Sequence, residues 1–127
     1  MSYKLLIVDD SKLARMSAAK ALSSLYPDWN RVEAASADEA VSLGKRDAFD
    51  IALVDFNMPG RDGLQLAAEL KAAHPSMPIA VISANHQEEI VARAKAIGAA
   101  FLEKPLTQHA LHDFLQGAVR QLQAART

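Results

Sequence analysis

Four stretches of this chain are apolar without interruption, and each stops at a polar residue: Leu5 to Val8 before Asp9, Ile51 to Val54 before Asp55, Ile79 to Ile82 before Ser83, and Ala99 to Leu102 before Glu103 and Lys104. A strand covered on both sides has no solvent face and therefore no polar alternation, so short continuous runs of this kind predict buried parallel strands. Arg31 to Ala34, weaker, supplies a fifth strand between the first two. Between the runs, apolar residues recur three or four apart, as in Ala14, Ala18, Ala21, Leu22 and Leu25, in Ile90, Ala94 and Ile97, and in Leu111, Phe114, Leu115, Ala118 and Leu122. That spacing predicts helices with one apolar face. Local signals punctuate them. Ser36 with Glu39 and Asn85 with Glu88 have capping-box spacing, Gly98 follows Ile97 where a left-handed helix terminator belongs, and Asn57-Met58-Pro59-Gly60 reads as a turn.

Strands alternating with helices predict an α/β fold: a five-stranded parallel sheet with right-handed crossovers between two helical layers, a three-layer α/β/α sandwich. All strands then end on one edge, and ligand sites in such open sheets lie beyond that edge. Asp9, Asp10, Asp55, Ser83 and Lys104 all fall there.

Composition narrows the possibilities. A chain of 127 residues fits one domain, spanning residues 1–127, with a substantial core. Half of the residues are hydrophobic, 23% are charged and the net charge is -1, as in an ordinary soluble globular protein. The near-neutral balance, with no Lys/Arg run, leaves no electrostatic footprint for nucleic acid. No stretch is long enough for a membrane span or a signal-peptide core, and without cysteine there is no disulfide or thiolate chemistry. A cytoplasmic location is the expectation.

The acids carry the chemistry. Carboxylates brought to about 4 Å repel by about 4 kcal/mol per pair at an effective dielectric near 20. Either one keeps its proton or a divalent cation sits among them. Oxygen ligands alone, too few for a complete cage, favour Mg²⁺ retaining several waters, with Mn²⁺ as a substitute. A carboxylate, a hydroxyl, an ammonium and a hard cation together suit phosphoryl transfer, with aspartate attacking phosphorus to form an acyl phosphate.

The succession LLIVDD, LVDFNMPGRDG, AVISAN and FLEKP resembles, nearly end to end, the receiver domain of two-component response regulators, especially the stand-alone chemotaxis type. The resemblance implies a flavodoxin-like fold with strand order 2-1-3-4-5. It implies that Asp55 is the phosphoacceptor, that Asp10, Asp55 and the backbone carbonyl of Asn57 hold Mg²⁺, and that Asp9 does so through water. Ser83 and Lys104 are implied to act on the transferred phosphoryl group, and Ser83 with Phe101 to form the switch. Asn57 and Asn85 would tune hydrolysis, and a cis bond would precede Pro105. The donor would be a histidine kinase or phosphotransfer protein. The output would be a protein target on the face formed by the fourth helix, fifth strand and fifth helix. Such a protein turns over no external substrate and is not an enzyme in that sense. The family more often has threonine at position 83 and tyrosine at 101; Phe101 lacks the hydroxyl.

Each signal has a plainer reading. Asp9, Asp10 or Asp55 alone could cap a helix, Asn85 serves equally as a cap, and Phe101 is core in either case. His109 and His112 lie three apart on the last helix, but no carboxylates complete a ligand set. A phosphatase of the haloacid-dehalogenase type would want a second acid where Asn57 stands. An FMN carrier would want a hydroxyl- and glycine-rich loop where Asp9-Asp10-Ser11 stands. A module that binds without phosphorylation would be expected to have lost part of the acceptor set. A receiver within a longer regulator is the remaining alternative. The polar Gln121 to Thr127, with no output domain after them, lead us to expect a single-domain protein acting by binding.

Overall fold

The computed structural model describes residues 2–84 and 87–125. Five strands, β1 (Lys4–Val8), β2 (Asn30–Ala34), β3 (Ile51–Asp55), β4 (Ile79–Ser83) and β5 (Ala100–Glu103), alternate with five helices, α1 (Lys12–Leu25), α2 (Ala37–Arg46), α3 (Gly63–Ala73), α4 (Glu88–Ala96) and α5 (Gln108–Ala125). All pairings are parallel and the order is β2-β1-β3-β4-β5, as expected.

The two-residue strand period splits the core into two layers. Leu6, Val8, Ala52, Val54, Ile79 and Val81 face α2, α3 and α4, together with Leu66, Leu70 and Ile90. Leu5, Ile7, Ile51, Leu53, Ala80 and Ile82 face α1 and α5, together with Leu22, Leu111 and Leu115. The central strands are thus buried on both sides, which is why they read as unbroken apolar runs. β2 and β5 are edge strands and lie partly open. Phe101, expected in the core, is only half-buried for that reason; it packs against the α2–α4 layer.

Helix ends follow from their cap residues. Ser36 accepts from the Glu39 N–H, while the Glu39 carboxylate reaches back to the Ala35 N–H at 3.0 Å. Asn85 of the expected Asn85–Glu88 box lies outside the described residues; Gln87 is the N-cap of α4 and Glu88 its first helical residue. The full capping box is at α3, between Asp62 and Gln65. Gly98, at φ +78°, ends α4 with bonds from its own N–H to Lys95 O and from Ala99 N–H to Ala94 O. Among the described residues no helix is long and apolar enough to cross a membrane.

Candidate functional site

The ladder brings the strand-end residues to one edge. Asp55 is the last residue of β3 and pairs with Ile82, so Ser83 lies one step beyond it on β4. The Phe56 N–H donates to Ile82 O at 2.8 Å, which carries the β3–β4 pairing past the acid. Asp9 follows β1 directly and donates its N–H to Ala34 O at 3.1 Å. The Lys104 N–H donates to Ser83 O at 3.0 Å, seating the residue after β5 beside the end of β4.

Side chains then converge. Carboxylate oxygens of Asp9, Asp10 and Asp55 lie within 4.8 Å of one another. Asp9 and Asp55 are buried and Asp10 is exposed. The Lys104 ammonium stands 2.8 Å from Asp55 Oδ1 and 3.2 Å from Asp9 Oδ2. Among the described residues, no group other than Lys104 reaches the buried Oδ1 of Asp55. Burial raises the Asp55 pKa; the neighbouring Lys104 lowers it, and the Asp9 and Asp10 charges raise it again, for a net rise. Burial works against the charge on Lys104, but Asp55 and then Asp9 outweigh it and its pKa is raised. The pair therefore holds a full cation, while the acids remain short of positive charge.

Three clustered acids served by one lysine, with a buried carboxylate oxygen that only that lysine reaches, fit a hard divalent cation with oxygen ligands. Ser83 is fully buried on the strand face that also carries Val81, whose partner across the ladder is Phe101. Asn57 is exposed in the turn after β3, and Asn85 lies outside the described residues. The Lys104–Pro105 bond is cis. His109 pairs with Asp113 at 3.3 Å on an exposed face, and no histidine belongs to an acidic cluster among the described residues.

Two residues beside the cluster escaped the sequence reading. Gly63 opens α3 against the backbone that follows the acid, donating its N–H to Phe56 O at 2.9 Å. A Cβ there would lie 2.3 Å from Asp55 O. The Asp62–Gln65 spacing could have revealed where that helix starts. Arg15 donates from Nη1 to the Asp9 carbonyl at 2.6 Å and from Nε to Glu33 Oε1 at 3.1 Å. No local signal in the sequence marks that contact. A hollow of about 530 Å³ beside Tyr26 and Trp29 lies at the opposite edge of the sheet, away from the acids.

The response regulator receiver domain family matches residues 5–116, and the chain belongs to that family. It is 33% identical over 116 residues to the glycerol metabolism activator of Pseudomonas putida, covering 90% of this chain and 52% of that protein. It is 38% identical over 119 residues to the positive alginate biosynthesis regulatory protein of Pseudomonas aeruginosa, covering 91% of this chain and 46% of that one. The chain thus spans at most about half the length of these relatives. Among solved structures, the chemotaxis protein CheY4 of Vibrio cholerae superposes with a TM-score of 0.84 at 26% identity, covering 93% of this chain and 99% of that one. A CheY-like receiver from Methanospirillum hungatei gives a TM-score of 0.87 at 22% identity over 98% and 99%, which shows the fold. Receivers are signalling domains phosphorylated by histidine kinases or phosphotransfer proteins, and an acidic pocket for Mg²⁺ is typical of them.

Proposed function

We propose that this receiver accepts a phosphoryl group on Asp55 and signals through a changed protein-binding face. The observation that carries the reading is the buried Asp55 carboxylate with Lys104 at 2.8 Å and two further acids within 4.8 Å, all at the carboxyl edge of a parallel sheet. An Asp55 oxygen attacks phosphorus; the bond to the donor histidine nitrogen breaks and its electron pair returns to the ring. Lys104 offsets charge on the incoming oxygens, and the Ser83 hydroxyl donates to one of them. Asp10, Asp55 and the Asn57 carbonyl would hold Mg²⁺, or Mn²⁺ in its place, with Asp9 acting through water. The bound ion supplies neutralisation of the transferring oxygens. Asn57 and Asn85, amides and not bases, would orient the water that later hydrolyses the acyl phosphate.

Leu13 and Met16, exposed by 77% and 55% on the first turns of α1, offer a donor protein an apolar footing beside the acids. The output face is α4–β5–α5. Phe101 supports that choice: half-buried, it is the partner of Val81, two residues before Ser83 on the same strand face. Rearrangement there can be driven only by what the phosphoryl group gains in one arrangement over the other.

Incubation with Mg²⁺ and a small phosphodonor should add one phosphoryl group by intact mass, and Asp55→Asn should abolish the gain. An undiminished gain in that variant would move the acceptor elsewhere.

A further inference from the structure

We propose that Arg15 is a positioning residue for the metal site, holding the turn between β1 and α1 in the shape that Asp9 and Asp10 need; the proposal rests on the reading of that acidic cluster as a Mg²⁺ site. Arg15 lies in the first turn of α1, where its N–H donates to Ser11 O at 3.0 Å. Its side chain is 15% exposed and turns back over the start of its own helix. One arm of the guanidinium donates to the Asp9 carbonyl at 2.6 Å, and Nε meets Glu33 Oε1 on β2 at 3.1 Å.

The Asp9 backbone is thereby fixed on both sides by the same strand. Its N–H is held by Ala34 O at 3.1 Å, and its carbonyl is held by Arg15, itself anchored on Glu33. That carbonyl belongs to the peptide leading into Asp10. Rotation of this peptide would carry the exposed Asp10 carboxylate away from the buried Asp9 and Asp55. The Asp9 side chain is committed too, its Oδ1 accepting from the Ser11 N–H at 2.9 Å. The planar guanidinium suits the task because it offers fixed donors in two directions at once, whereas a lysine ammonium is a point charge on a flexible stem.

Charge and positioning predict opposite signs. If Arg15 were only a nearby cation, its removal would make the acids more attractive to Mg²⁺. As a brace, its removal weakens binding, by about tenfold on the scale of groups that orient metal ligands. Isothermal titration of the whole chain with Mg²⁺ should therefore show Arg15→Ala binding about tenfold more weakly than the parent. Arg15→Lys keeps the charge but reaches one partner at a time, so it should also bind several-fold more weakly, and it guards against an alanine variant that fails to fold. Without metal, hydrogen exchange at the Ser11 amide should be faster in both variants, a readout independent of the ion. Equal or tighter Mg²⁺ binding in folded Arg15→Ala, or parental affinity in Arg15→Lys, would overturn the proposal. Asp10→Ala separates the two levels: it should lose Mg²⁺ binding, and parental affinity there would overturn the metal-site reading itself, taking the role of Arg15 with it.

Discussion

Replacing Gly63 by alanine tests how tightly the start of α3 is packed against the acceptor. The added methyl carbon would sit 2.3 Å from Asp55 O, 2.7 Å from Phe56 Cα and 2.8 Å from Asp55 C. Even a favourable contact between carbon and a carbonyl oxygen is about 3.3 Å or longer, so the two segments must part by roughly 1 Å. All three neighbours are backbone, so no side chain can swing aside. Nor is the helix free to retreat, because the Asp62–Gln65 capping box and the bond from Gly63 N–H to Phe56 O pin its first turn. Overpacking of this kind costs about 1 to 3 kcal/mol. With an unfolding entropy of roughly 2.1 cal/mol/K per residue over 127 residues, that lowers the melting temperature by about 4 to 11 °C.

The larger effect should be functional. A displacement of about 1 Å at a reacting group can cost about a hundredfold in rate. Phosphorylation of Gly63→Ala by a small phosphodonor with Mg²⁺, followed by intact mass, should be slower by tens to about a hundredfold, well below the melting point of the variant. Parental melting temperature together with parental phosphorylation rate would refute the reasoning. A lowered melting temperature with an unchanged rate would show that α3 absorbs the whole displacement and that Asp55 stays in place.

Gly98→Ala is the contrasting case: the φ of +78° is strained for alanine but the new methyl meets only the end of the Lys71 side chain, Cε at 3.7 Å and Nζ at 3.9 Å. A loss of about 1 to 2 kcal/mol by urea denaturation, with an unchanged phosphorylation rate, is expected. A charge prediction concerns Asp55, whose pKa burial raises above the ordinary 3.8. The folded state then binds the proton more tightly than the unfolded chain, so the stabilisation is whole below 3.8 and is lost as the pH climbs through the raised folded value. In metal-free protein at neutral pH, Asp55→Asn should therefore melt higher than the parent, with the gain shrinking as the pH falls toward 3.8. Equal melting temperatures at neutral pH would contradict it.

The parts of this fold that are buried on both faces were legible in the sequence, and those that depend on a distant partner were not. Leu5 to Val8, Ile51 to Val54 and Ile79 to Ile82 stood out because β1, β3 and β4 have no solvent side. β2 stood out least: as an edge strand it exposes Asn30, Arg31 and Glu33. Asp55 and Ser83 looked like stops, yet the ladder extends through both, since parallel pairing needs only backbone groups. α3 was legible from the strand–helix alternation and not from its own periodicity, because Leu64, Leu66, Ala67 and Leu70 are all buried and leave little amphipathic contrast. The acids and Lys104 were legible because each stands within two residues of the end of an apolar run. Arg15 was not, because its meaning comes from Glu33, 18 residues away on the edge strand.

Lys104 and Asp9 are 95 residues apart, and strand order alone does not bring them together. β5 is separated from β3 by β4 and from β1 by two strands. With neighbouring strands about 4.8 Å apart, the step from β5 to β3 is roughly 10 Å at the level of the sheet. A short side chain at the end of β5 could not cross it, so the acids sit on the adjacent β1 and β3 while the cation comes from the longest kind of stem. The consequence is mechanical: Lys104 is the covalent continuation of the strand that carries Phe101, and its ammonium ends 2.8 Å from Asp55. On the proposed function, charge added at Asp55 therefore acts directly on β5, an edge strand with no fully buried residue, while β1, β3 and β4 remain locked on both faces. On that reading, the edge position that leaves Phe101 half-buried is also what lets its packing respond to Asp55.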